Sequence, residues 1–113
     1  MKINVQSIHF DADKKLLEFI EKKAERLDHF FDQIIRGDIY LKLEHTVDDA
    51  NKICEIKIAI PGNDLFCKEQ AKTFEAATDM AIECIKNQIH KHKERVKNHV
   101  SNHKQVAAKE DYF

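Results

Sequence analysis

The chain has 113 residues, 35% of them charged, and a net charge of −1, enough for one domain with a single core and too short for a two-domain enzyme. The near-neutral total hides an asymmetry: residues 1–85 carry 12 Lys/Arg against 17 Asp/Glu, residues 86–104 carry 6 against 1, and residues 105–113 carry 1 against 2. No apolar run approaches membrane-spanning length and the N-terminus lacks a signal-peptide core, so a soluble cytoplasmic protein without membrane contact is expected.

In KINVQSI, Ile3, Val5 and Ser7 alternate with Lys2, Asn4 and Gln6, the period-two pattern of a half-buried strand. Asp13 is placed to cap a helix from residue 14 to about 28, because Leu16, Ile20, Ala24, Leu27 and Phe31 then recur at helical spacing. The helix's opposite face mixes Lys15, Lys22, Arg26 and His29 with Glu18 and Glu25. After Gly37, DIYLKLEHTV alternates again, and the turn DDAN leads to a third strand, KICEIKIAI. The run Pro61-Gly62-Asn63-Asp64 should end that strand, and LFCKEQAK reads as a fourth of unfixed register.

Residues 73–104 read as one long helix capped by Thr73. Phe74, Ala77, Ala81, Ile85 and Ile89 form its buried stripe, which stops at Ile89. At 1.5 Å per residue the helix spans roughly 45 to 50 Å, so its second half should project from a small domain. That half is basic: Lys86, His90, Lys93, Lys97 and Lys104 share a ridge about 90° from the stripe, with Lys91 and Arg95 on another side and Glu94 as the one acid. Basic residues at a helix end also complement its dipole, but a merely solvated surface mixes both signs, and the cluster favours a polyanion. The element order is βαβββα: an α+β two-layer sandwich, with a four-stranded sheet covered by two helices on one face. Residues 1–104 make the domain, and the patternless tail QVAAKEDYF, residues 105–113, should be disordered.

Catalysis has little support, since no Gly-rich phosphate loop, GxSxG elbow or HExxH helix is present; no enzyme activity, cofactor or small-molecule substrate is expected. His99 and His103 stand one helical turn apart, but two ligands do not make a zinc site, and no metal is expected. Cys54, Cys67 and Cys84 are odd in number and lack CxxC spacing, so they are read as core thiols. A cationic helix beside a small sheet fits backbone recognition of structured RNA better than base reading in DNA.

The stretches MKINVQSIHF, EFIEKKAERLDHFFDQI, ICEIKIAIPGNDLF and, most specifically, TFEAATDMAIECIKNQIHKHKERV resemble the short ribosome hibernation promoting factors, also called ribosome-associated inhibitor A or protein Y. The resemblance covers roughly residues 1–97. It implies a fold similar to double-stranded-RNA-binding domains, held by ribosomal RNA on the small ribosomal subunit in the channel of messenger and transfer RNA. Translation would be inhibited there during stress or stationary phase. It implies RNA-binding roles for Lys22, Lys23 and Arg26 in the first helix and Lys86, His90, Lys91, Lys93 and Lys97 in the second. The first-helix assignments rest on the resemblance; those in the second agree with the basic surfaces read from the residues. An end nine residues after Lys104 implies neither the extra C-terminal domain nor the long tail of other members. The alternative is a general structured-RNA-binding module unrelated to hibernation.

Overall fold

The structure is a computed structural model that describes residues 2–44 and 50–101, with side chains up to residue 94. Strand β1 (Lys2–Ser7) leads into helix α1 (Lys14–Glu25) and the one-turn helix α2 (Leu27–Phe30). Strands β2 (Arg36–Leu43), β3 (Lys52–Ile60) and β4 (Asn63–Ala71) follow, and helix α3 (Phe74–Ser101) closes the order. The sheet runs β1-β2-β3-β4, with β1 parallel to β2 and the other two pairs antiparallel. A parallel neighbour requires a crossover connection, which α1 provides, whereas short connections suffice for the antiparallel meander.

Alternation sets the faces. Ile39 and Leu41 of β2, Cys54, Ile56, Ile58 and Ile60 of β3, and Leu65 and Cys67 of β4 point into the core. They meet Ile20 and Ala24 of α1, then Leu27, Phe31 and Ile34, and the α3 stripe Phe74, Ala77, Ala81, Ile85 and Ile89. On the opposite sheet face charged residues pair along and across strands, with Arg36 joined to Asp38 within β2 at 2.7 Å, Lys42 to Glu55 of β3 at 3.0 Å and Lys57 to Asp64 of β4 at 3.9 Å.

Both long helices start on side-chain caps. Asp13 Oδ1 accepts from the Leu16 N–H at 2.8 Å, and Thr73 Oγ1 accepts from the Ala76 N–H at 3.0 Å, each satisfying a donor that the first helical turn leaves without a partner. Around the Pro61-Gly62 turn the third and fourth strands are closer than their sequence suggests. Proline presets φ at the first turn position, Gly62 takes φ +78° at the second, and Asn63 already pairs with Ile60.

Three further expectations need correction. The first helix does not run unbroken to residue 28. It ends at Glu25, where the Arg26 N–H turns to the Lys23 carbonyl at 3.3 Å and the His29 N–H to the Arg26 carbonyl at 3.1 Å, a tightening common at helix ends. The second strand begins at Arg36, before Gly37, and ends at Leu43; the predicted continuation through residues 45–47 lies outside the described residues, as do residues 102–113 with the tail. The cysteines are not three equivalent thiols. Cys67 of β4 and Cys84 of α3 form a disulfide with Cα atoms 6.1 Å apart, because an inward-facing strand position meets the helix lying across it. Cys54 alone is a free core thiol. Burial pushes its pKa up to about 11, against the opposing effect of the Thr78 hydroxyl, which donates to its sulfur at 3.6 Å.

Candidate nucleic-acid interface

Helices α1 and α3 pack side by side, and a narrow groove between them is lined by Lys23 and Arg26 on one side and Ile82, Glu83, Asp79 and Lys86 on the other. Cations singled out in two separate stretches of sequence therefore meet at one place. Lys23 sits there because Ala24 faces the core and its neighbour rotates outward by about 100°. Lys86 follows the buried Ile85 for the same reason.

The groove is not purely basic. Lys23 Nζ lies 3.2 Å from Asp79 Oδ1, and Lys86 Nζ lies 3.5 Å from Glu83 Oε2. The partners in both pairs are partly exposed, with side-chain exposures of 32% and 53% for the first and 36% and 68% for the second. Such surface pairs contribute about 0 to 1 kcal/mol, so a phosphate arriving at the groove could take either lysine at little cost. Lys23 also stands 5.6 Å from the Phe19 ring centroid. Lys22 and Arg26 are exposed to solvent.

Beyond the groove, the remaining candidates spread around α3. His90 is exposed, with Nε2 3.3 Å from Glu94 Oε1, and Lys91 opens on the flank towards β4 beside Glu69 and Gln88. Lys93 leans back onto α2, where its ammonium donates to the Phe30 carbonyl at 3.0 Å and lies 4.9 Å from the ring centroid of the same residue. His92 meets Phe31 edge-on at 5.8 Å. The backbone of Lys97 continues the helix; its side chain, like those of His99 and His103, lies outside the described residues.

Lys93 therefore has a structural duty that helical periodicity does not reveal: it caps a short helix and fastens α3 to α2. Lys93→Met is expected to cost about 1 kcal/mol by losing a cation–π contact and a charge-assisted hydrogen bond. Urea denaturation checks this, and an unchanged midpoint would contradict the contact.

Residues 3–97 match the family model described as Sigma 54 modulation protein / S30EA ribosomal protein. The chain belongs to this family. Among its relatives, the ribosome hibernation promoting factor of Klebsiella oxytoca is 25% identical over 99 residues, covering 88% of this chain and 100% of that protein. The Bacillus subtilis ribosome hibernation promotion factor is 26% identical over 98 residues, covering 85% of this chain and 50% of that protein. The fold of this family member is shared with a ribosomal subunit interface protein from Coxiella burnetii, at TM-score 0.73 and 21% identity over 83% of this chain and 99% of that one. It is also shared with the N-terminal domain of Thermus thermophilus Protein Y, at TM-score 0.70 and 22% identity over 81% and 99%.

Proposed function

We propose that this S30EA-family chain is a cytoplasmic ribosome hibernation factor that lays α1 and α3 on small-subunit ribosomal RNA, in the channel used by messenger and transfer RNA, and blocks translation without catalysis. Its relatives carry the name ribosome hibernation promoting factor, and the observation that carries the finer reading is the α1–α3 groove with Lys23, Arg26 and Lys86 around it. Two helices presenting cations side by side can follow an RNA backbone by charge and shape. On this reading Lys22, Lys23, Arg26, Lys86, His90, Lys91, Lys93 and Lys97 form the RNA-facing set, with Asp79 and Glu83 holding two of the lysines until phosphate replaces them.

If about four phosphates are neutralised, binding to purified small subunits should weaken with a logarithmic salt slope near −3, roughly a fiftyfold to hundredfold loss between 50 and 200 mM salt. Sedimentation binding across that range measures the slope. A slope near zero would remove phosphate contact as the source of affinity.

A further inference from the structure

We propose that Cys67 and Cys84 form a reversible thiol–disulfide site, exchanging with low-molecular-weight thiols and their disulfides, that fastens α3 to the edge strand β4. The Cα separation of 6.1 Å lies in the range that a disulfide spans without moving the backbone. The two sulfurs differ in access: Cys67 is 3% exposed, whereas Cys84 is half-buried and lines the open groove on the β4 flank of α3, beside Glu69, Glu83, Gln88 and Lys91. An incoming thiolate therefore reaches Cys84 first.

The same groove supplies a donor for the leaving sulfur. Gln88 Nε2 lies 3.1 Å from Cys67 Sγ and 3.7 Å from Cys84 Sγ while donating to the Phe66 carbonyl at 2.9 Å. An amide N–H at that position stabilises a thiolate developing on Cys67, which has little water around it. Cys54 lies outside the exchange, buried on β3 under the Thr78 hydroxyl.

Reduction runs in two displacements. A thiolate RS⁻ bonds to Cys84 Sγ, and the Cys67–Cys84 bond breaks with its electron pair on Cys67 Sγ. A second RS⁻ then attacks the R-bound sulfur of the mixed disulfide, releasing RSSR and leaving the Cys84 thiolate. Counting the two protons carried by 2 RSH, two electrons pass from the small thiols to the protein, and RSSR reverses both steps. Disulfides in a reducing compartment are typically transient or redox-sensing; the placement in such a compartment rests on the ribosome-associated reading above, while the exchange chemistry does not.

The test uses the full wild-type chain without ribosomes, equilibrated with mixtures of reduced and oxidised glutathione, acid-quenched, and labelled with maleimide under denaturing conditions. One free thiol per chain, mapped to Cys54, is expected in excess oxidised glutathione, and three in excess reduced glutathione. The change should reverse on returning the oxidant, and reduction should lower Tm by roughly 10 °C. In Cys67→Ser, oxidised glutathione should modify Cys84; in Cys84→Ser it should leave Cys67 largely free. Three free thiols in every mixture, a single free thiol that persists in excess reduced glutathione, or pairing that involves Cys54 would each overturn the proposal. Because no arm involves RNA, failure here leaves the hibernation reading standing, and the converse also holds.

Discussion

Replacing Lys22, Arg26 and Lys91 together by Glu is expected to weaken small-subunit binding by roughly one hundred to five hundredfold in 0.1 M salt. At that ionic strength each phosphate contact contributes roughly five- to eightfold through counterion release, three contacts multiply, and the introduced carboxylates add repulsion. These three residues are chosen because all are exposed and the loss can be separated from damage to the fold. Lys86 is held by Glu83 and Lys93 by Phe30, so reversing either would disturb an internal contact as well. Exposed substitutions usually change stability by about 0.5 kcal/mol or less each, and the triple variant should keep a Tm within a few degrees of wild type. Retained affinity, within about threefold, would remove these cations from the interface.

The largest effect on stability is expected from Ile85→Ala. Ile85 is fully buried midway along α3, in the stripe by which the helix rests on β3 and β4. Truncation removes buried surface and leaves a cavity that the rigid sheet cannot fill, a loss of about 3 to 4 kcal/mol. For a domain of this size that lowers Tm by roughly 12 to 20 °C. Calorimetry and urea unfolding should agree, with the denaturant slope nearly unchanged. A fall of only a degree or two would mean that α3 is not held by this stripe. The same substitution on a stably folded sample should leave the salt slope of binding intact, because Ile85 faces away from the cations.

Features repeated within one element were legible in the sequence. Alternation in KINVQSI and KICEIKIAI marked the inner sheet face correctly, and the stripe from Phe74 to Ile89 marked the buried side of α3. Features joining distant elements were not. Nothing local to Lys93 signals that it reaches the Phe30 carbonyl, 63 residues away in sequence, and nothing in the spacing of Cys67 and Cys84 signals that strand and helix bring them together. Nor does any local spacing signal that Asp79 of α3 is the counter-charge of Lys23 on α1. The break at Arg26 is hidden for a related reason: the apolar pattern continues smoothly through Leu27 to Phe31, so periodicity alone does not register a change from i−4 to i−3 hydrogen bonding.

On the proposed function, the cationic face of α1 and α3 occupies the RNA surface that messenger and transfer RNA use. Two ligands that exclude one another must each reduce the other's apparent affinity by the same factor. The most direct measurement is a competition titration on purified small subunits, with the labelled chain as the observed ligand and transfer RNA plus a short messenger as competitors. With exclusion, the chain's apparent dissociation constant should rise in proportion to competitor concentration once the competitor's own dissociation constant is exceeded, without a plateau. An apparent dissociation constant that stays unchanged in saturating transfer RNA would contradict it, even if the chain still bound the subunit.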